Sequence, residues 1–177
     1  MYEKYFPYEY VESVFAIDYR KLYGLEYRGI IFDIDNTLVP FGADATPEVA
    51  ALFDELHRIG FRTLLLSNES AERIRRFKGE MEMPFISSAG KPDSSGFENA
   101  LTVLALTRKQ VVCIGDCMQS DILGANQASL ASILVKPLSS DDPDLNERKR
   151  EKEQKLLARY LKNKKYTHRM GDILPDA

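Results

Sequence analysis

Cysteine and histidine are scarce in this chain of 177 residues, which holds two of each. Cys113 and Cys117 stand in a C-x3-C spacing, which fits neither the C-x2-C pattern of zinc sites nor a disulfide framework. Both are therefore expected to be free thiols in a reducing compartment. His57 and His168 are too few and too far apart to suggest a metal site. No run approaches the roughly 18 apolar residues that a membrane-spanning helix needs. The opening residues, MYEKYFPYEYVESVF, carry early acidic side chains and no apolar h-region, so they do not read as a signal peptide. No Gly/Ser linker and no internal repeat divides the chain. With these classes excluded, the expectation is one cytoplasmic domain spanning residues 1–177, a length in the ordinary range for a single unit.

What is present is a chain with 44% apolar and 29% charged residues, enough of the former to build a core. The net charge of −3 is unevenly spread: Glu147 to Lys165 carries nine Lys/Arg against three Glu, so the rest is distinctly acidic. Short runs rich in branched and aromatic side chains, at 29–34, 61–67, 111–115 and 131–135, read as strands buried on both faces, with a shorter one at 84–87. Between them lie helical patterns. Thr46 as N-cap and Pro47 in the first turn open one, with Val49, Leu52, Phe53, Leu56 and Ile59 at helical spacing and Gly60 as its stop. Others are expected over 70–78, with a basic outer face, over 94–106 and over 121–127. Strand and helix alternate, which predicts an α/β fold with a mainly parallel sheet and helices on both faces. Right-handed crossovers then bring all the strand C-termini to one edge, where such sheets bind ligands.

Each strong strand ends in reactive residues. The first ends in Asp33-Ile34-Asp35-Asn36-Thr37, the second in Ser67-Asn68 and the third in Gly115-Asp116, with Asp121 five residues on. Lys91 lies in the loop before the helix that begins near Ser94. Converging carboxylates repel one another, so a hard divalent cation is expected among them, and magnesium suits oxygen ligands while binding substrate phosphate. Asp33 and Asp116 are the side-chain ligands this requires, with Asp35 offering its backbone carbonyl. One Asp33 oxygen is then free to attack phosphorus, and Asp35 can protonate the leaving oxygen and later activate water. Lys91, Ser67 and the backbone amides after Asp33 and Ser67 supply charge and donors for the phosphoryl oxygens. Asp121 is suited to holding Lys91 or a metal-bound water. Each residue also has a plainer reading: turn and cap roles for the aspartates, Thr37 and Ser67, and a solvated surface position for Lys91.

At these residues the chain resembles the haloacid dehalogenase (HAD) superfamily. F-D-I-D-N-T-L is similar to its DxDx[TV] signature, LLLSN to its second motif, the Lys of G-K-P to its third and G-D-C-M-Q-S-D to its fourth. EYRGIIFDIDNTLVPF, SAGKP and ILGANQA narrow the resemblance to the subclass IIIA, YqeG-type phosphatases, which are similar to phosphatidylglycerophosphate phosphatases of phospholipid synthesis. The resemblance implies a Rossmann-like five-stranded sheet of order 5-4-1-2-3, a magnesium-dependent phosphate-monoester hydrolase acting through an aspartyl-phosphate, and the roles set out above. Asn68 belongs to the second motif and is a supporting residue with Thr37 and Asp121. Cys117 departs from the pattern, where relatives often have Gln, and has no assigned role.

There are 29 residues between Thr37 and Ser67 and 22 between Asn68 and Lys91, too few for a folded lid beyond the helices they hold. The mouth is expected to be open, which suits a phosphate presented on something large, such as a membrane lipid, without excluding a small ester. The basic segment 144–165 is expected to be helical, with Leu156, Leu157, Tyr160 and Leu161 as a short apolar stripe. It fits a helix docked on the body, or a peripheral contact with anionic lipid on the inner face of the membrane. Nucleic-acid binding fits less well, for want of interleaved aromatics. The aromatic segment 1–28 reads as core packing in preference to a membrane anchor. A soluble phosphatase of sugar phosphates or nucleotides, and a non-catalytic phosphate-binding scaffold, are the competing functions. The intact Asp33/Asp35 pair argues against the scaffold.

Overall fold

In the computed structural model, which describes residues 1–177, the apolar runs become buried strands. In chain order the regular elements are β1 (Glu9–Val11), α1 (Tyr19–Gly24), β2 (Gly29–Phe32), α2 (Pro47–Ile59), β3 (Arg62–Leu66), α3 (Ala71–Lys78), β4 (Phe85–Ile86), α4 (Ser95–Leu104), β5 (Val111–Gly115), α5 (Leu123–Gln127), β6 (Ala131–Val135) and α6 (Glu147–Lys162). The six strands form one sheet in the order β1-β6-β5-β2-β3-β4, and every neighbouring pair is parallel. Every residue of β2, β5 and β6 is buried, as strands covered on both faces require. The pleat divides them between two cores. Ile30 and Phe32 pack with Phe53 of α2, and Ile31 packs on the other side with Phe97 of α4 and Cys113.

The five strands expected from sequence keep their expected order. The sixth, β1, is a correction. It comes from the aromatic N-terminal segment and pairs with β6, Glu9 opposite Ile133 and Val11 opposite Val135. Its three residues include Glu9 and Tyr10, so no apolar run announces it. Glu9 is nonetheless buried, its carboxylate accepting from the Met170 amide at 3.1 Å. Burial pushes its pKa up. Val14, Tyr19 and Leu22 from the same segment join the core, so its packing role is the one realised.

Local chemistry sets the helix ends. Thr46 accepts from the Val49 amide at 3.2 Å, and Gly60 takes φ 121°, closing α2 as its spacing requires. The cap of α3 is Ser70, which accepts from the Arg73 amide at 3.2 Å, and not Ser67. The helix expected over 121–127 begins earlier, as a π-helical turn at Met118–Ile122 that runs into α5.

The basic α6 lies against the body. Leu156 and Tyr160 are buried among Phe6, Met118, Ile122 and Leu134, with Phe6 edge-on to Tyr160 at 5.6 Å between ring centres. Leu161, expected in the same stripe, is 55% exposed. No helix is long and apolar enough to cross a membrane. Because Tyr160 carries this docking, Tyr160→Ala is expected to lower the unfolding free energy by about 3–5 kcal/mol. Urea denaturation followed by circular dichroism measures it; an unchanged midpoint contradicts the packing account.

Candidate active site

The C-terminal ends of β2, β3 and β5 share one edge of the sheet, and the residues following them meet there. Lys91 is the hub. Its ammonium donates to Asp33 Oδ1 at 2.9 Å, Asp121 Oδ1 at 2.7 Å and the Leu66 carbonyl at 2.9 Å. These three contacts use all three of its N–H groups. The Lys91 side chain is 3% exposed. Burial opposes its charge, but Asp121 and Asp33 outweigh burial and raise its pKa, so it stays an ammonium. Asn68 fixes the loop that carries it: the Asn68 Oδ1 accepts from the Lys91 amide at 2.7 Å, and its Nδ2 donates to the Lys91 carbonyl at 3.3 Å.

Thr37 joins the first strand end to the third. Its hydroxyl lies 3.1 Å from Asp33 Oδ2 and 3.1 Å from Asp116 Oδ1. One hydroxyl hydrogen serves one carboxylate at a time, so the second contact needs a shared proton or a cation. Asp33, Asp116 and Asp121 each offer a carboxylate oxygen, all within 4.8 Å of one another. Burial, then Asp33 and Asp121, push Asp116 well above the ordinary carboxylate range. Burial and then Asp33 push Asp121 up to about 6, although Lys91 pulls the other way. Three crowded carboxylate oxygens with a single ammonium between them form a donor set that suits a hard divalent cation.

The turn after Asp33 is built to hold this arrangement. Asn36 takes φ 63°, a left-handed conformation that Asn tolerates better than most residues. Its side chain accepts from the Ser139 amide and hydroxyl and donates to the Asp141 carbonyl, tying the turn to the loop after β6. The amides of Ile34, Asp35 and Asn68 donate to no acceptor within the protein. Ser67 is buried at the floor, its hydroxyl accepting from the Glu69 amide at 3.1 Å. Gly115 is required by proximity: a Cβ there would stand 2.4 Å from the Asp121 carboxyl carbon.

All eight residues singled out in the sequence lie at this edge, though one of them, Asp35, and the unassigned Cys117 carry partners that sequence reasoning did not foresee. Asp35 points away from the carboxylate cluster. Its Oδ1 accepts from Arg73 Nη2 at 2.9 Å and from the Gly42 amide at 2.7 Å, and its Oδ2 has no protein partner. Arg73 belongs to α3, whose basic residues were expected to face outward; its side chain is 10% exposed. The available signal was its position four residues before the buried Phe77. Cys117 also acquires a partner. Burial pushes its thiol up, and the thiol donates to Glu153 of α6 at 3.4 Å.

The cleft holds about 650 Å³. No inserted lid covers it, but Leu145 after β6, Lys149 and Lys152 of α6 and Tyr5 of the N-terminal segment form a wall. Sequence reasoning treated those segments as lying outside the site, because they carry no motif.

Comparison with known proteins gives the family and the fold. The HAD-hydrolase-like family model matches residues 88–163. The chain is 35% identical over 160 residues to the probable phosphatase YqeG of Bacillus subtilis (strain 168), covering 89% of this chain and 93% of that protein. It is 25% identical over 134 residues to phosphatidylglycerophosphate phosphatase 1, chloroplastic, of Chlamydomonas reinhardtii, covering 70% of this chain and 50% of that one. Among solved structures, the cobalt-bound deoxy-D-mannose-octulosonate 8-phosphate phosphatase (YrbI) of Haemophilus influenzae matches with a TM-score of 0.53. That match covers 80% of this chain and 92% of the other at 15% identity, a likeness of fold.

The hub generates a stability prediction. Lys91→Met leaves the buried Asp121 and the half-buried Asp33 without their counter-charge, and is expected to cost about 3–5 kcal/mol in chelator-treated protein near neutral pH. Urea denaturation measures it. A loss below about 1 kcal/mol contradicts the ion-pair account.

Proposed function

This chain belongs to the haloacid dehalogenase-like hydrolases as a YqeG-type phosphatase, and from that premise we propose that Asp33 attacks phosphate monoesters, with magnesium as the metal and phosphatidylglycerophosphate as the substrate. The observation that carries the reading is the meeting of Asp33 with Lys91 and, through Thr37, with Asp116 at the strand ends.

Magnesium, when bound, supplies positive charge against the phosphate oxygens; Asp33 and Asp116 would hold it with their carboxylates and Asp35 with its backbone carbonyl. The chain's own residues do the rest. Lys91 and Thr37 hold the two oxygens of Asp33, so the carboxylate is oriented before substrate arrives. With its three N–H groups already committed, Lys91 acts on the phosphoryl group mainly through its charge. The Ser67 hydroxyl and the free amides of Ile34, Asp35 and Asn68 donate to the phosphoryl oxygens. An Asp33 oxygen attacks phosphorus, the ester P–O bond breaks, and the leaving oxygen takes a proton from the Asp35 carboxyl. Oδ2 of Asp35 is the oxygen suited to carry that proton, since Oδ1 already accepts from Arg73 and Gly42. In the second half, Asp35 takes a proton from water as its oxygen attacks phosphorus. The bond to Asp33 breaks, inorganic phosphate leaves, and Asp35 is again a carboxylic acid.

Two features support a lipid-borne substrate. The relatives named phosphatidylglycerophosphate phosphatases, in Chlamydomonas reinhardtii and Arabidopsis thaliana, align with most of this chain, which spans about half their length. The outer face of α6 is basic, with Leu161 exposed near its far end. On an anionic surface each Lys or Arg contributes on the order of 1 kcal/mol.

Asp33→Asn is expected to abolish phosphate release, and Asp35→Asn to slow it by about 10²–10⁴-fold. A phosphate-release assay on vesicles containing phosphatidylglycerophosphate, with sugar phosphates and nucleotides alongside, tests both proposals. Wild-type turnover in both variants overturns the mechanism. Turnover of soluble esters alone removes the lipid.

The raised pKa values make the cation dependence testable apart from activity. A carboxylate raised by burial favours the folded state while protonated; that contribution is lost as pH rises through the raised range of Asp116, a proposed ligand, and through about 6 for Asp121 beside it. A cation needs the ionised form. Saturating magnesium is therefore expected to raise the melting temperature by roughly 5–10 °C at about pH 7.5 and by much less at about pH 5. Equal shifts at both pH values contradict binding by these carboxylates.

A further inference from the structure

We propose that Lys149 and Lys152 of α6 form a subsite for a second phosphate group on the same substrate, next to the scissile one. The proposal rests on the phosphatase reading and specifies which esters that site selects.

The subsite is held rigidly to the site it serves. Glu153, on the same stretch of α6, accepts from the Met118 amide at 2.9 Å, the Gln119 amide at 2.9 Å and the Gln119 side chain at 2.9 Å. The Gln119 side chain donates in turn to the Lys149 carbonyl at 2.9 Å. These partners directly follow Asp116 and Cys117, so α6 is fastened to the loop that carries a proposed metal ligand. Positions 149, 152, 153 and 156 lie three and four residues apart, along one side of a helix. Leu156 is buried in the body, Glu153 grips the loop, and Lys149 and Lys152 line the cleft.

Their charges are uncommitted. Lys149 Nζ donates to the Asp144 carbonyl at 3.0 Å, and Lys152 Nζ to the Tyr5 hydroxyl at 3.0 Å, lying 4.7 Å over that ring. Neither is within salt-bridge distance of a carboxylate, whereas Lys91, the remaining lysine of the cleft, is paired with two. Each keeps two N–H groups for a ligand. Elsewhere the cleft is acidic, including Glu69, Asp142 and Asp144 on the rim. A second anion is repelled along that rim and attracted only toward α6. The arrangement selects a substrate that carries its second phosphate in that one direction.

The test compares two water-soluble esters, glycerol 3-phosphate and a glycerophospho-glycerophosphate, so that no membrane contributes. In Lys149→Ala/Lys152→Ala the ratio of kcat/KM for the two-phosphate ester to that for the one-phosphate ester is expected to fall about tenfold, through KM. Lys149→Arg/Lys152→Arg should keep most of the ratio. Turnover of both esters with an unchanged ratio in the alanine variant overturns the subsite alone. Turnover of neither ester by an unaltered chain that still releases phosphate from phosphatidylglycerophosphate vesicles also overturns the subsite, while release from none of the three, with magnesium present, removes the phosphatase reading itself.

Discussion

Lys91 keeps a full positive charge in surroundings that oppose it, and the carboxylates of Asp33 and Asp121 are what hold it charged. The dependence is mutual. Without the ammonium, those carboxylates and Asp116 would crowd one buried edge with nothing between them. Much of the surrounding structure follows from keeping this cluster together. Asn68 fixes the Lys91 loop, Thr37 spans Asp33 and Asp116, Asn36 ties the first turn to the loop after β6, and Gly115 makes room for Asp121. Three carboxylates against one ammonium leave the cluster net negative, which is the condition a hard divalent cation would satisfy.

The parallel sheet is the reason that residues so distant in sequence can meet. Its strands are buried on both faces, so the apolar runs carry their own address, and short crossovers leave every C-terminal end on one side. That logic made β2, β3, β5 and β6 legible, and with them Asp33, Asp35, Ser67, Lys91 and Asp116. β1 was not legible, since three residues with a buried glutamate carry no periodicity. The π-helical turn at Met118–Ile122 was missed for a related reason: its residues fit a helical pattern, and only the packing decides where the helix begins.

The wall of the cleft was the least legible part. Arg73 sits among several basic residues of α3, and only its phase relative to Phe77 separates it from its neighbours. Glu153, Lys149 and Lys152 lie in a stretch whose composition suggests a solvated helix. Their role depends on where α6 docks, which Tyr160 and Phe6 decide across most of the chain's length. Cys117, a departure from the family pattern, belongs to this same junction. Its thiol meets Glu153, so the loop after Asp116 is shaped by contact with α6 as well as by its own motif. The motifs mark the residues that gather at the strand ends, while the residues that shape the mouth are set by tertiary packing.

The central claim is that one oxygen of Asp33 bonds to phosphorus during turnover. Acid quenching of the enzyme in the presence of magnesium and substrate, followed by borohydride reduction and peptide mass spectrometry, reads this directly. The account predicts reduction of the acyl-phosphate at Asp33, giving homoserine at that position and at no other aspartate. Phosphate release with Asp33 unmodified in the quenched enzyme, or modification at another residue, would contradict it.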